Sequence, residues 1–307
     1  MALSGYILRL FVVKPQEEFL IFVDARGSIV AEEQHCFTRW SLYNNTDQQL
    51  AAVQFDPSNR IFYISTTREK VISRYELIGW SEGLRLKDHI VTDNIEKVTS
   101  IIVDSVNERL YWSDASLNTI STSRLDGSQR RILFTSDLVA PSNLLLDPEC
   151  RYIYWTSSGT DSSTIERAFV NGTSREKAVN ESDNGSFVLA IAGQTLYRIK
   201  TLNGVLRQYN LSQPFLTRAS DKDLKYSSLQ NATSAIKIDS FLCWSAGSRT
   251  DCAALNEKTV YVVNIPDAPP SSQLLYHTTE NELLGKTLER CFRNFFIQGN
   301  VSAKLLL

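Results

Sequence analysis

His35, His89 and His277 are the only imidazoles in the chain, and each stands alone. No spacing groups them with cysteine, aspartate or glutamate in a metal-ligand pattern. The chain carries no Gly-x-Ser-x-Gly elbow, no phosphate-cradling glycine loop and no EF-hand loop. What does recur is aspartate. Asp56, Asp104, Asp147 and Asp239 each close an apolar run and open a polar turn, and Asp114 ends the segment Tyr111-Trp112-Ser113-Asp114. Recurring carboxylates suit a metal ladder or the capping of turn N–H groups. Capping is the expected use, because each aspartate sits where a hairpin turns. The sequence therefore assigns no catalytic residue, no metal site and no cofactor, and it names no ligand-binding residue.

Two further groups could be modified. Asn-x-Ser/Thr occurs at Asn44, Asn171, Asn180, Asn184, Asn210, Asn231 and Asn300. That is about twice the number chance would place here, and it argues for a glycoprotein with these positions on surface loops. The cysteines are Cys36, Cys150, Cys243, Cys252 and Cys291, an odd count that excludes complete internal pairing. Cys243 and Cys252 flank a turn-like stretch between two short apolar runs. If those runs pair as antiparallel strands, the two residues come within bridging distance. A disulfide is favoured over two small buried thiols.

The elements that position these residues form a repeat. An apolar run, Asp with a polar turn, and an apolar–aromatic run recur together. Its copies place Ile21, Tyr63, Tyr111, Tyr154, Tyr197 and Cys243 at one equivalent position, with gaps of 42, 48, 43, 43 and 46 residues. Such a period suits four-stranded propeller blades or paired-helix repeats. Strand-turn-strand patterning decides for blades. Asp126-Gly127 and Asn171-Gly172 predict tight hairpins of type I′. A six-unit radial array follows, with each sheet burying both faces. Closure is expected from residues 7–13 pairing beside residues 259–264. Only residues 280–290 show a short helical pattern.

Composition agrees with a packed domain. The 307 residues are 43% hydrophobic with net charge −2. That excludes a disordered chain and removes the basic excess that nucleic-acid binding requires. No run is long and apolar enough to span a bilayer. The N-terminus lacks a clear signal-peptide pattern.

With these motifs in hand, the chain resembles the low-density lipoprotein receptor class B (YWTD) repeats of lipoprotein-receptor-related proteins. The likeness is specific over residues 101–175, where Tyr111-Trp112-Ser113-Asp114 and Tyr154-Trp155-Thr156-Ser157 stand for the motif. It is weaker elsewhere. The resemblance implies an all-β, six-bladed propeller over residues 6–276, then a C-terminal tail at 277–307 that is a short helix or disordered. Tyr111, Trp112, Tyr154 and Trp155 are expected to fill wedges between blades, with Asp114 buried and hydrogen-bonded. Arg167 is expected to be either structural or exposed on a face. The implied role is a non-catalytic, extracellular, protein-binding propeller in a membrane-anchored receptor. Its partner would be a secreted or cell-surface protein, with EGF-like or fibronectin type III modules alongside. The proline-rich residues 265–273 resemble the linker into a fibronectin type III domain. They keep a sevenless/ROS-type receptor kinase ectodomain open as the alternative. A nidogen-like matrix protein and a calcium-dependent propeller hydrolase are the remaining readings.

Overall fold

The computed structural model describes residues 19–23, 28–33, 39–44, 50–147, 149, 151–158, 163–183, 185–192, 194–211, 216–219, 223–225, 229–238, 241–246, 249–254, 260–261 and 273–277. Strands β1 (Phe19–Val23), β2 (Ile29–Glu33) and β3 (Arg39–Tyr43) form the first sheet together with β25 (Gln273–His277). The second sheet holds β4 (Leu50–Asp56), β5 (Ile61–Thr66), β6 (Ile72–Gly79) and β7 (Gly83–Val91). The third holds β8 (Val98–Asp104), β9 (Arg109–Asp114), β10 (Thr119–Arg124) and β11 (Arg131–Phe134). The fourth holds β12 (Ser142–Asp147), β13 (Tyr152–Ser158), β14 (Ser163–Phe169) and β15 (Glu176–Asp183). In the fifth, β16 (Phe187–Ala192), β17 (Thr195–Lys200) and β18 (Val205–Asn210) are edged by the short β19 (Thr217–Arg218) and β20 (Leu224–Lys225). The sixth holds β21 (Ala232–Ile238), β22 (Phe241–Ala246), β23 (Arg249–Ala254) and β24 (Val260–Tyr261).

The first strand of each sheet touches the first strand of the next, in the order β4, β8, β12, β16, β21, β25 and back to β4. These strands surround the axis, and all pairing is antiparallel. No helix among the described residues is long and apolar enough to cross a membrane.

The alternation of the second strand builds the core. Adjacent residues of a strand face opposite sides of its sheet, so the Tyr and Trp of one motif enter different wedges. Tyr63 of the second sheet shares a wedge with Trp112 of the third. Tyr111 shares one with Trp155, and Tyr197 with Trp244. All are buried, and each of these three wedges is thus filled by an aromatic pair drawn from two sheets. The wedge between the fourth and fifth sheets has Tyr154 but no Trp, because Arg198 occupies the Trp position of β17. Arg198 is buried, its guanidinium 4.1 Å from the Phe187 ring centroid. The equivalence read from spacing holds here: Ile21, Tyr63, Tyr111, Tyr154, Tyr197 and Cys243 lie on β1, β5, β9, β13, β17 and β22.

Three expectations differ from the structure. Closure occurs in the first sheet, not the last. The N-terminal unit supplies only β1 to β3, and β25 fills the vacant inner edge against β1, with a bulge between Ile21 and Phe22. Residues 7–13 lie outside the described residues. The proline-rich residues 265–272 fall between β24 and β25, so they link two strands of the ring rather than end it.

The hairpins at Gly127 and Gly172 are not type I′. Only the glycines take positive φ, +84° and +90°, while Asp126 and Asn171 do not. Gly127 N–H donates to Arg124 O, and Arg124 N–H to Ser128 O, giving a three-residue turn with a glycine bulge. The Asp126 and Asn171 carboxamide or carboxylate oxygens accept the N–H of Ser128 and Thr173, a local bond that favours this form. The bulge also brings each turn against the preceding sheet. A Cβ on Gly127 would lie 2.3 Å from the carbonyl oxygen of Ile90.

Candidate protein-binding face

The ring has two ends. One carries the hairpins that leave the inner strands. The other carries the linkers that enter them, together with the turns between second and third strands.

At the hairpin end the recurring aspartates cap turns. Asp56 accepts the N–H groups of Ser58 and Asn59, and Asp104 that of Asn107. Asp147 accepts from Glu149 N–H. Two of them also reach the next sheet. Ser105 Oγ donates to Asp56 at 2.9 Å, and Arg151 bonds Asp104 at 2.7 Å. Among the described residues no cluster of three or more His, Cys, Asp or Glu could hold a metal ion. Asp239 lies outside the described residues.

Asp114 works at the linker end. It is 1% exposed, and its carboxylate accepts four backbone N–H groups. Glu96 and Lys97, from the linker into β8, approach one oxygen at 2.7 and 3.1 Å. Ser116 and Leu117, from the turn after β9, approach the other at 2.9 Å each. One side chain thus ties the entering linker to the neighbouring turn. In the fourth sheet Ser157 holds this place and accepts only the Val139 N–H, at 3.0 Å.

Two arginines complete the fastening. Arg130 lies with its guanidinium 5.4 Å from the Trp112 ring centroid and donates to the carbonyls of Asp93 and Asn94. Arg175 lies 5.7 Å from Trp155, bonds Glu166 at 2.8 Å, and donates to the carbonyls of Ser136 and Asp137. Each follows its turn glycine by three residues, at Gly127 and Gly172. The aspartates and aromatics drew attention in the sequence, while these arginines did not. Their recurrence after the glycine was the available signal.

Pinned in this way, the linker end presents Leu117, 40% exposed, and Val139, 49% exposed, close to Ala140 and Pro141. Asn118 Oδ1 accepts the Ala140 N–H at 2.8 Å and joins the two segments. Beside them opens an axial cavity of ≈ 350 Å³. It reaches the first residues of the inner strands, Ala51, Thr99 and Asn143, but not Asp56, Asp104 or Asp147. Its polar lining is Gln54, Thr99, Ser100 and Asn143 among apolar side chains. Thr99 donates to Pro141 O at 2.6 Å and Asn143 to Phe187 O at 2.9 Å, so amide and hydroxyl groups rim the axis in fixed positions.

The other residues singled out from sequence are dispersed. Tyr111, Trp112, Tyr154 and Trp155 are buried in the wedges. Burial pushes the Tyr63 and Tyr111 hydroxyls up from their ordinary pKa. Arg167 is buried, 2.7 Å from Glu176 and 4.7 Å from the Tyr152 ring centroid, and is a packing residue. His89 Nδ1 lies 2.7 Å from Ser73 Oγ on the outer part of the second sheet. Arg74 beside Asp88 holds that carboxyl below the usual carboxylate range. Asn44, Asn171 and Asn231 are exposed. Asn210 ends β18 and Asn180 lies within β15. Asn184 and Asn300, His35, Cys36, Cys150 and Cys291 lie outside the described residues. Cys243 and Cys252 are paired in register across β22 and β23.

The family model for the low-density lipoprotein receptor repeat class B matches residues 108–148. Mouse low-density lipoprotein receptor-related protein 5 is 34% identical over 112 residues, which is 36% of this chain and 7% of that protein. Among solved structures, one from a nidogen/laminin complex superposes with TM-score 0.69 at 20% identity, covering 84% of this chain and 98% of that one. A gluconolactonase from Xanthomonas campestris superposes with TM-score 0.56 at 13% identity, over 81% of this chain and 90% of that one. Both likenesses speak to fold alone. With the aromatic wedges, the buried Asp114 and the repeat match together, the chain is a β-propeller of the YWTD type that carries a low-density lipoprotein receptor class B repeat.

Proposed function

We propose that this chain is a six-bladed, non-catalytic, extracellular protein-binding propeller whose docking surface is the linker end. The six sheets and the continuous order of inner strands support the blade count. The observation that carries the reading is the pairing of an apolar patch, Leu117 and Val139, with a polar axial mouth at Thr99 and Asn143. Exposed apolar side chains beside fixed hydrogen-bonding groups give a partner both surface to bury and groups to pair with. The surrounding segments are held by Asp114, Arg130 and Arg175, so docking orders little backbone.

The likeness to a lipoprotein-receptor-related protein supports a place in a cell-surface receptor ectodomain, with a secreted or cell-surface protein as ligand. Flanking EGF-like modules fit that reading. The proline-rich segment, lying between β24 and β25, gives the fibronectin-linked kinase alternative less support than its composition suggested. The lactonase likeness speaks to fold alone; the described residues lining the axial cavity include no carboxylate or imidazole, and the inner-strand aspartates Asp56, Asp104 and Asp147 accept turn N–H groups.

The test is a screen of the secreted protein against a panel of extracellular domains, run beside the double variant Leu117→Asp/Val139→Asp. Partners of the wild type should bind the variant at least about thirtyfold more weakly, the effect of losing a 2 kcal/mol hot spot. Melting temperature should not change. A variant that keeps every partner at full affinity refutes the assignment of this face.

A further inference from the structure

The second strands are equivalent through the ring, and so are their partners on the third strands. Tyr63 faces Arg74, Tyr111 faces Thr122, Tyr154 faces Arg167, and Tyr197 faces Gln208. In the first of these pairs the Tyr63 hydroxyl and the Arg74 guanidinium both donate to the Leu125 carbonyl oxygen, at 3.3 Å each. In the sixth sheet both positions change together, and Cys243 faces Cys252. Two of the five cysteines therefore replace both members of a directly opposed pair that holds a tyrosine in the second to fifth sheets. Directly opposed residues of an antiparallel pair have Cα atoms about 4.5–5.5 Å apart, inside the range a disulfide spans.

We infer that Cys243 and Cys252 form a cross-strand disulfide that stands in for the tyrosine-centred contact in the last sheet. Two thiols lose two protons and two electrons as the S–S bond forms. An oxidised dithiol catalyst of the secretory compartment takes the electrons and protons and leaves as its reduced dithiol. The inference rests on the extracellular reading, since that compartment supplies the oxidant. The staple acts near the seam of the ring. β21 touches β25, the strand that closes the first sheet by backbone pairing with β1. Reduction should loosen the sheet adjacent to that seam.

Arg249 lies between the two cysteines, so trypsin places them on separate peptides, residues 238–249 and 250–258. Secreted protein, alkylated without reduction and digested, should yield these peptides joined, two hydrogen masses below their sum. Reductant should lower the melting temperature of the wild type by about 5 °C, the effect of opening a short disulfide loop. The variant Cys243→Tyr/Cys252→Arg copies the Tyr63–Arg74 pair and should melt at the same temperature with or without reductant. Secreted, glycosylated protein whose two peptides are each recovered alkylated, or bridged to other cysteines, overturns the disulfide and leaves the extracellular reading standing. Protein that never acquires a glycan overturns both.

Discussion

Replacing Asp114 tests the fastening of the linker end directly. Asp114→Ala removes the acceptor of four backbone N–H groups, those of Glu96, Lys97, Ser116 and Leu117. Leaving a buried donor unpaired costs about 1–3 kcal/mol. These segments lie near the surface, where water recovers part of that, so the low end applies. At about 1 kcal/mol for each donor, the change costs about 4 kcal/mol. For a chain of this size that corresponds to about 8 °C in melting temperature. Asp114→Asn keeps one oxygen, able to serve one pair of donors, and turns an NH₂ group toward the other. It should cost about half as much.

Thermal melting followed by tryptophan fluorescence reads the size of the effect. Amide hydrogen exchange reads its location. Protection should fall first at Glu96, Lys97, Ser116 and Leu117, while the amides of β16 and β17 should be little affected. Because Leu117 sits on the proposed docking surface, partner binding should weaken along with the exchange protection. If both variants melt within about 2 °C of the wild type, or if exchange rises uniformly through the ring, Asp114 does not hold the linker to the turn and the argument for a rigid face fails.

Two other predictions concern the wedges and their edges. Gly127→Ala should cost at least about 3 kcal/mol, because its Cβ would meet the Ile90 carbonyl oxygen at 2.3 Å. Gly172→Ala meets the flexible Leu133 Cδ2 at 3.3 Å and should cost only about 1 kcal/mol from its positive φ. Equal effects in paired denaturation curves would contradict the close approach of the third sheet to β7. At high pH the buried tyrosines should govern unfolding. Burial raises the folded-state pKa of Tyr63, Tyr75, Tyr111 and Tyr197 above the unfolded value near 10. The folded chain holds these protons more tightly. Their contribution is therefore complete below pH ~10 and is lost as pH rises through the raised values. Their tyrosinate absorbance should appear together with loss of fold. Ionisation near pH ~10 with the fold intact would show that these hydroxyls reach water.

The repeat was legible because the wedge demands it. A buried strand position filled by Tyr in four sheets leaves a spaced mark in the sequence, and Ile21 and Cys243 kept the register even where the aromatic was lost. Closure was not legible. It joins Phe19–Val23 to Gln273–His277, two short strands from opposite ends of the chain with no local signal linking them. The turn type was misread for a different reason. Asp-Gly and Asn-Gly serve both type I′ turns and glycine bulges, and the contact of Gly127 with the neighbouring sheet favours the latter. Arg130 and Arg175 were hidden because an arginine after a turn reads as solvated charge. Only the fold shows that each lies on its own motif tryptophan and on the carbonyls of a linker.

Those arginines connect packing to binding. Each guanidinium spends its flat face on an indole at the wedge and its N–H groups on the linker that leads into the same sheet. Whatever fills the wedge thereby positions the linker, and Asp114 passes that position on to the turn bearing Leu117. A change that loosens the Trp112 or Trp155 wedge should therefore reach the docking surface without touching it, through Arg130 or Arg175. The hairpin end has ties between sheets as well, at Ser105–Asp56 and Arg151–Asp104. Its exposed apolar side chain is Val106, beside Ser105, and no tie in that hairpin joins it to a second exposed apolar residue among those described. Rigid segments lower the ordering cost of association only where a partner can bury surface against them. The linker end meets that requirement with two exposed apolar side chains, Leu117 and Val139, on segments that the Asn118–Ala140 hydrogen bond joins.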